Sequence, residues 1–267
     1  MNYNAYFGFK KQPFAKDIKP QNLLKLPGML AVKQRLDYVA SVNGMMVVTG
    51  EVGSGKSTSL RWSTSHYHSS EYLVLNVIGT SASIIDFYRS LCWSMDLNVF
   101  SVSRTKLIKT FKEAIRDLVV AKKKKILLTI DEASLLRPEI FTEIHVLTQF
   151  ENDSQGIITV VFAGQANLID KFLYRNATPL ASRIIARTHL IGISRDQMEE
   201  YIVHHQKIAG VKKNLFSDEA ITAIHQGSGG LLRKANSLAS GGLIAAATEN
   251  DNIVTAEHIR IASTELI

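Results

Sequence analysis

Short apolar runs alternate, along the first two thirds of the chain, with segments whose apolar residues recur at helical spacing. Strands that are apolar on both faces and separated by helices are typical of a parallel sheet covered on both sides. The pattern therefore predicts an α/β fold with a parallel five-stranded sheet and helices on both faces. The predicted strands are Met45–Thr49, Tyr72–Val77, Ile126–Ile130, Ile157–Ala163 and Ile185–Ile191.

After residue 194 the strand pattern stops, and helical periodicity predicts an all-helical lid with helices at 195–209, 217–226, 231–248 and 255–265. Ser217 is a suitable N-cap for the second of these helices. Gly241 and Gly242 lie inside the third helix and predict either a close helix crossing or a kink.

The first 27 residues of the chain are rich in proline and contain three of the five prolines of the whole sequence. Proline disfavours regular helix and sheet, so this stretch is predicted to be an extended arm. A helix at residues 29–42 follows it. The predicted domains are therefore 1–43 for the arm and first helix, 44–193 for the sheet domain and 194–267 for the lid.

The composition is that of an ordinary soluble globular protein, with 46% hydrophobic and 21% charged residues. The single Cys92 cannot form an intramolecular disulfide, which favours a reducing, cytoplasmic location. No apolar run is long enough to span a bilayer, and the N-terminus lacks the features of a signal peptide. We therefore expect neither export nor a membrane partner.

The net charge of +7 is concentrated in one segment. Residues 101–125 contain nine basic and two acidic residues, whereas the rest of the chain is balanced at 22 of each. Apolar residues at helical spacing place the cations on another face of a helix. This basic stripe is either a solvated outer face or a surface that binds the phosphate backbone of nucleic acid. Nucleic-acid contacts are predicted for Arg104, Lys106, Lys109 and Lys112.

A glycine-rich segment, GEVGSGKS at residues 50–57, lies between the first predicted strand and a helix and fits G-x-x-x-x-G-K-[ST] in full. In this motif backbone N–H groups surround a β-phosphate, Lys56 reaches the β- and γ-phosphates, and the Ser57 hydroxyl can ligate Mg²⁺. The sequence therefore predicts a site for ATP and Mg²⁺. Its predicted members are Gly50, Glu51, Val52, Gly53, Ser54, Gly55, Lys56, Ser57 and Thr58.

Two adjacent acids, Asp131 and Glu132, follow the apolar run Ile126–Ile130. Ligands of parallel sheets bind at the carboxyl ends of the strands. Asp131 is therefore expected to hold the magnesium together with Ser57, and Glu132 to orient and deprotonate the water that attacks the γ-phosphate. A structural interpretation also stays open, in which Glu132 is an acid at the entry to the helix before Pro138.

Gly164 and Gln165 directly follow the fourth predicted strand. If that strand lies between the strand of the phosphate loop and the strand of Asp131, the Gln165 amide points at the γ-phosphate and can position the water. A sensing role is therefore predicted for Gln165, with a plain polar loop residue as the alternative.

Together these residues resemble the AAA+ ATPases, and the likeness extends over residues 30–267. It rests on the phosphate loop, the Asp131–Glu132 pair, Gln165, and the lid sequence Gly-Leu-Leu-Arg at 230–233. The resemblance implies an ATPase that converts ATP and water to ADP and phosphate. It also implies that Arg233, on a lid helix, acts as a second sensor touching the nucleotide phosphates.

Within the AAA+ ATPases, three segments are similar to ExeA-type ATPases and to TnsC-, TniB- and IstB-like transposition helpers: Tyr6–Phe9 with Pro13-Phe14, Thr49–Ser57 and Leu180–Ile184. In such proteins a neighbouring subunit supplies an arginine from just before the last strand. Arg183 matches that position best, and Arg187 is second. The resemblance also implies that the arm packs against the adenine, with Phe14 or a nearby apolar residue against the base. An arm that only latches over the core is equally open.

The resemblance and the basic stripe favour a regulator of DNA transposition. ATP would assemble it as a hexameric ring or helical filament on duplex DNA, where it selects a target and recruits a transposase or other transposition proteins, and hydrolysis would disassemble it. The alternative is an ExeA-like ATPase of secretion or envelope assembly that acts on protein partners. That alternative is expected to need a membrane-crossing segment and a wall-binding region after the lid. A small-molecule kinase is disfavoured, because a water-activating acid would waste ATP.

Overall fold

A computed structural model describes residues 3–15, 17–150 and 156–264, and the chain divides into two compact units. The sheet unit comprises residues 28–50 and 56–189, and the helical unit comprises residues 1–27, 51–55 and 190–267. This division differs from the predicted domains. The first long helix belongs with the sheet, whereas the arm and five residues of the phosphate loop belong with the lid helices.

The sheet has five parallel strands in the order β2-β3-β4-β1-β5. The strands are β1 (Met45–Gly50), β2 (Tyr72–Ile78), β3 (Lys125–Asp131), β4 (Ile158–Gly164) and β5 (Ile184–Leu190). Every residue of β1 and β4 is buried. Because successive side chains of a strand point to opposite faces, these two strands are covered on both sides. The predicted parallel five-stranded sheet is confirmed, and each strand end lies within one residue of its prediction.

Twelve helices belong to the described part of the chain. They are α1 (Tyr3–Phe7), α2 (Pro27–Ser41), α3 (Lys56–Thr64), α4 (Ile84–Trp93), α5 (Arg104–Val120), α6 (Pro138–Leu147), α7 (Leu168–Leu173), α8 (Thr178–Ala181), α9 (Arg195–Ile208), α10 (Asp218–Ser228), α11 (Leu232–Glu249) and α12 (Ala256–Thr264). The Ser217 hydroxyl accepts the N–H of Ala220 at 3.1 Å and so caps α10 as predicted. Within these described helices, none combines the length and apolar character needed to cross a bilayer.

The arm is more ordered than its prolines predicted. It forms the short helix α1 and a 3₁₀ turn at Pro20–Asn22. Phe9, Phe14 and Leu26 are buried among the apolar residues of the helical unit. The Lys10 N–H donates to the Ala209 carbonyl at 2.9 Å. Burial of these side chains and backbone hydrogen bonds offset the ordering entropy of the arm, and local proline signals do not capture that contribution.

The two glycines inside α11 mark a close helix crossing. A Cβ on Gly241 would lie 2.7 Å from the Cβ of Ala262, and one on Gly242 would lie 2.5 Å from Cδ1 of Ile259. Both contacts are too short for real atoms. The close approach of α11 to α12 therefore requires glycine at Gly241, whereas at Gly242 the Ile259 side chain would have to shift. This favours a close helix crossing, one of the two alternatives that the sequence left open.

Candidate functional site

The phosphate loop has a backbone that its glycines make possible. Gly53 and Gly55 have φ of +89° and +94°, values that L side chains rarely adopt. Between them, the Ser54 N–H donates to the Glu51 carbonyl at 3.2 Å. The Ser54 hydroxyl is buried and has no hydrogen-bond partner within the described residues. A buried hydroxyl without a protein partner fits a loop whose polar groups bind a phosphate.

Lys56 opens helix α3 and is largely buried, with 6% of its surface exposed. Its Nζ donates to the Gly50 carbonyl at 2.9 Å, so the ammonium group is held at the end of β1. Ser57 and Thr58 follow in the first turn of α3, where backbone N–H groups and the helix dipole favour an anion.

The acidic pair lies where β3 ends. Glu132 has φ of +52°, a left-handed conformation that few residues other than glycine adopt, and its N–H donates to Oδ1 of Asp131 at 2.9 Å. The Glu132 side chain makes no capping hydrogen bond to the 3₁₀ turn that follows at Ala133–Leu135. The Glu132 carboxylate therefore does not cap this turn, which leaves the catalytic interpretation of Glu132 open.

Two glycines in the neighbouring strand ends leave room for this turn. A Cβ on Gly79 would lie 2.6 Å from the Glu132 carbonyl oxygen, and one on Gly164 would lie 2.9 Å from the backbone nitrogen of Ser134. The Gly79 N–H also donates to the Asp131 carbonyl at 2.6 Å. Sequence reasoning missed both glycines as positioning residues, since nothing local to them shows that another backbone lies so close.

Strand β4 lies between β1, which precedes the phosphate loop, and β3, which ends at Asp131. This is the strand order on which the prediction for Gln165 depended. Gln165 is exposed, directly after β4, and its N–H donates to the Ser134 hydroxyl at 3.4 Å. That hydrogen bond ties the loop of Gln165 to the turn of the acidic pair. The sensing role itself stays a prediction.

Within the helical unit, the phosphate loop contacts the start of α11. The Arg233 N–H donates to the Gly53 carbonyl at 3.2 Å, and a Cβ on Gly53 would lie only 2.8 Å from the Arg233 Cβ. The Arg233 side chain is exposed. Two motifs separated by about 180 residues of sequence are thus in backbone contact, and the lid residue that the resemblance singled out is held at the loop.

The two candidate trans arginines have different surroundings. Arg183 directly precedes β5, as expected, and its Nη1 donates to the Thr148 hydroxyl at 3.4 Å, just after α6. Arg187 lies inside β5 and is exposed. The contribution of either to a neighbouring subunit stays a prediction.

Phe14 needs a correction. It is only 5% exposed, stacks on the His205 ring at a centroid distance of 5.3 Å, and meets Phe216 edge to face at 6.3 Å. This arrangement leaves little of the ring to contact an adenine. The structure thus favours the latch alternative within the helical unit, because the apolar ring is buried in that unit's own core.

His205 completes the attachment of the arm. Its Nδ1 hydrogen-bonds the Pro13 carbonyl at 2.8 Å, and the neighbouring His204 Nε2 bonds the Asn22 carbonyl at 2.7 Å. Burial lowers the pKa of His205 to about 4, so the ring is neutral at pH 7 and its Nδ1–H is the donor.

The basic stripe on α5 also needs a correction, because two of its four predicted DNA contacts are used inside the unit. Arg104 binds the largely buried Glu143 carboxylate of α6, with Nη2–O distances of 2.7 and 2.8 Å and Nε at 3.1 Å. The same hydrogen bonds raise the pKa of Arg104. Lys112 Nζ donates to the carbonyls of Val146 and Gln149 at 2.9 and 3.0 Å, which closes the end of α6.

Lys106 and Lys109 remain at the surface. Lys109 lies 3.8 Å from Glu113, and both side chains are more than half exposed, so this pair is weak. The stripe is thus two structural cations and two exposed ones.

Glu143 is buried on α6 and also accepts the Tyr88 hydroxyl at 2.9 Å. Its spacing of three and four residues from Ile140 and Leu147 was the one sequence signal that it lies on the apolar face of this helix.

Mg²⁺ is implied by the phosphate loop, and the donor set fits it. Ser57 offers a hydroxyl oxygen and the partly buried Asp131 a carboxylate, both oxygen ligands of the kind magnesium prefers. When bound with ATP, the ion would neutralise charge on the phosphates.

A second acidic cluster, at Glu249, Asp251 and His258, has a structural explanation. The backbone N–H of Thr255 donates to Nδ1 of His258 at 3.0 Å, so the ring proton sits on Nε2. Nε2 then donates to Glu249 at 3.0 Å, and Asp251 lies 3.3 Å away. A ring whose Nε2 carries the proton cannot offer that atom to a metal.

With this geometry in hand, a model of the AAA domain family matches residues 39–172, about half of the chain. The chain therefore belongs to the AAA domain family and is a nucleotide-binding ATPase of the AAA+ class.

General secretion pathway protein A of Aeromonas hydrophila is 27% identical over 268 residues, which covers 99% of this chain and 48% of that protein. The chain thus spans about half the length of the curated relative that it matches. The match agrees with the ExeA-type resemblance seen in the sequence.

Two solved structures are similar in fold. The crystal structure of Cdc6p from Pyrobaculum aerophilum has a TM-score of 0.74 at 17% identity, covering 96% of this chain and 70% of that one. The structure of the Aeropyrum pernix ORC1 protein in complex with DNA has a TM-score of 0.72 at 14% identity, covering 97% and 70%. At such identities the likeness shows the fold.

Proposed function

We propose that the protein is an ATP-driven switch that assembles on duplex DNA and regulates DNA transposition, through target selection and recruitment of a transposase or other transposition proteins. The observation that carries the switch is the hydrogen bond from the Arg233 N–H to the Gly53 carbonyl. This hydrogen bond joins the start of α11 to the backbone of the phosphate loop. A change in loop conformation on nucleotide binding or hydrolysis would therefore shift the position of α11.

In the proposed reaction each residue has one task. Lys56 binds the β- and γ-phosphates, and Ser57 with Asp131 would hold Mg²⁺. Glu132 accepts a proton from water as the water attacks the γ-phosphate, and Gln165 helps to orient that water. All of these groups belong to one subunit.

Assembly would complete the site. Arg233 contacts the phosphates from the lid, and Arg183 reaches the γ-phosphate of a neighbouring copy in a hexameric ring or helical filament. A cation donated in trans stabilises charge that develops in the transition state, so hydrolysis depends on assembly. Hydrolysis then removes the γ-phosphate that holds neighbours together and disassembles the array.

DNA contact is proposed for the exposed half of the basic stripe, at Lys106 and Lys109. Arg104 and Lys112 are left out of the phosphate contacts because they hold α6. The charge excess of residues 101–125 supports DNA as the partner, and so does the complex with DNA in which the similar ORC1 protein was solved. The transposition role is supported by the sequence likeness to transposition helpers, and a cytoplasmic location belongs to the same proposal.

A second candidate function is favoured by a specific observation. The similarity to General secretion pathway protein A extends over 99% of this chain. An ATPase that acts on protein partners in secretion or envelope assembly would use the same nucleotide switch with a different partner surface.

The decisive experiment measures ATP turnover and the anisotropy of a labelled duplex at two salt concentrations, for wild type, Glu132→Gln and Lys56→Ala. Wild type should bind DNA only with nucleotide, and more weakly at high salt. Glu132→Gln should bind ATP but lose about 10²–10⁴ in turnover, and it should stay on DNA longer. Lys56→Ala on its own should lose nucleotide binding and, with it, assembly on DNA.

Charge reversal at Lys106 and Lys109 should lower the salt slope by about one for each lost phosphate contact. Unchanged turnover in Glu132→Gln would remove its catalytic role. Absence of nucleotide-dependent DNA association at low salt would contradict the DNA function and support the candidate that acts on proteins.

A further inference from the structure

The segment between α4 and α5 presents an unusual apolar surface. Phe100 is 96% exposed, the highest value among large hydrophobic side chains of the described residues, and Val102 is 74% exposed. Single exposed hydrophobic residues are common. An almost fully exposed phenylalanine two residues from an exposed valine instead indicates a surface that binds another molecule.

The segment is anchored to the sheet unit. Leu97 and Val99 pack against the core of that unit, while Phe100 and Val102 point outward. Nη2 of Arg89 donates to the Ser101 carbonyl at 3.3 Å, and the Ser103 hydroxyl caps α5. Phe100 is therefore presented by a tethered backbone, which lowers the entropy cost of using it in a complex.

Cations flank the exposed ring. Phe100, Val102 and Lys106 line a hollow of about 600 Å³, and the exposed Lys109 lies one helical turn further along α5. The exposed ammonium groups of Lys106 and Lys109 give this end of α5 a positive charge that favours a polyanion. Duplex DNA combines phosphates with stacked apolar base faces, and proteins that kink it insert phenylalanine, leucine or similar side chains between base steps.

We infer that Phe100 is a wedge that enters a base step of duplex DNA while Lys106 and Lys109 bind the adjacent phosphates. This inference rests on the proposed DNA-binding function and adds to it the element that deforms the duplex. The wedge separates two stacked base pairs, and insertion of the apolar ring replaces part of the lost stacking. The contact reads no base edge, so any sequence preference at this step would come from how easily the base step unstacks.

The test uses the full chain, a nonhydrolysable ATP analogue and a short duplex with internal 2-aminopurine, whose fluorescence rises on unstacking. Wild type should raise the fluorescence. Phe100→Ala should bind about ten-fold more weakly and give no rise, whereas Phe100→Leu should retain both properties. Tyr38→Ala is the matched control, since Tyr38 is a 59% exposed aromatic residue of α2 in the same unit, and it should behave as wild type. Thermal melting checks that each variant is folded.

Equal DNA affinity and fluorescence for Phe100→Ala and wild type would overturn the wedge and leave the DNA function in place. Tighter binding to a single strand than to the duplex would also overturn it, because stacking on free bases needs no insertion. If wild type does not bind the duplex with any nucleotide, the proposed function fails, and the wedge fails with it.

Discussion

The phosphate loop and helix α5 both carry strong signals in the sequence, yet only the loop has the local structure that its sequence predicted, whereas the cations of α5 divide between two environments. In the loop the expected backbone is present, with positive φ at Gly53 and Gly55 and the Lys56 ammonium group at the end of β1. In α5, cations that are alike in the sequence have different tasks: Arg104 binds a buried acid and Lys106 remains at the surface.

The difference follows from the range of the interactions involved. A phosphate loop is defined by local dihedral angles and by residues within eight positions, so its sequence nearly determines it. The task of a long cation depends on what another element presents to it. Glu143 lies 39 positions from Arg104, and no local pattern connects the two.

The largest effect is expected on ATP turnover, when the arginine proposed to reach the phosphate loop of a neighbouring copy is removed. Arg183→Ala should lower DNA-stimulated turnover by about 10³-fold or more, and Lys56→Ala should abolish it. A mixture of the two inactive variants should recover activity, because a Lys56→Ala subunit can donate its intact Arg183 to a competent site. Turnover of the mixture against each variant alone measures this.

Arg187→Ala is the matched control for that measurement and should keep turnover near that of wild type. If the mixture is no more active than either variant, Arg183 does not act in trans. Rescue of Arg187→Ala in its place would identify the arginine within β5.

The second largest effect is the pH dependence of stability, which tests whether His205 is buried beneath the arm. The pKa of His205 falls to about 4 in the folded protein, against about 6.5 when unfolded, so the unfolded chain binds more protons between these values. Its contribution to the free energy of unfolding is complete above about pH 6.5 and is lost as the pH falls towards 4. Wild type should lose about 2–3 kcal/mol more than His205→Gln between pH 7.5 and 4.5.

Urea unfolding at the two pH values measures this difference, with the exposed His68→Gln as the control that should follow wild type. Equal pH dependence in wild type and His205→Gln would show that His205 is not buried and neutral, and that the stack on Phe14 does not persist in solution.

The smallest effect is a difference in the free energy of unfolding between variants of a structural cation and of an exposed cation on α5. Arg104→Ala removes a charged partner of the largely buried Glu143 and should cost about 2 kcal/mol, less than for a fully buried pair because Arg104 is half exposed. Lys109→Ala should change stability by less than about 0.5 kcal/mol, since its pair with Glu113 is exposed. Thermal or urea unfolding of both variants provides the comparison.

Equal stability losses in the two variants would contradict the distinction between structural and exposed cations. In DNA binding the order should reverse, with Lys109→Ala the more affected variant, because the Arg104 guanidinium is occupied by Glu143 whereas the Lys109 ammonium group is largely exposed.

Much of the site was predictable from the sequence, and for a common physical reason. Asp131 and Glu132 end a strand, Gln165 ends its neighbour, and parallel strands bring their carboxyl ends to one edge. The arm was not predictable, since its prolines act locally, whereas the burial of Phe9 and Phe14 depends on helices about 190 residues away in the sequence.

The amino-acid sequence by itself determined the strands, the phosphate loop and the acidic pair, because strand periodicity and loop dihedrals are properties of neighbouring residues. Only the tertiary structure decided that Gly79 and Gly164 make room for the Glu132 turn, that Phe14 of the arm is buried in the core of the helical unit, and that Arg104 pairs with Glu143. Each of these depends on the close approach of distant segments. Packing and the cost of leaving a buried charge unpaired govern such contacts, and neither quantity exists until the chain has folded.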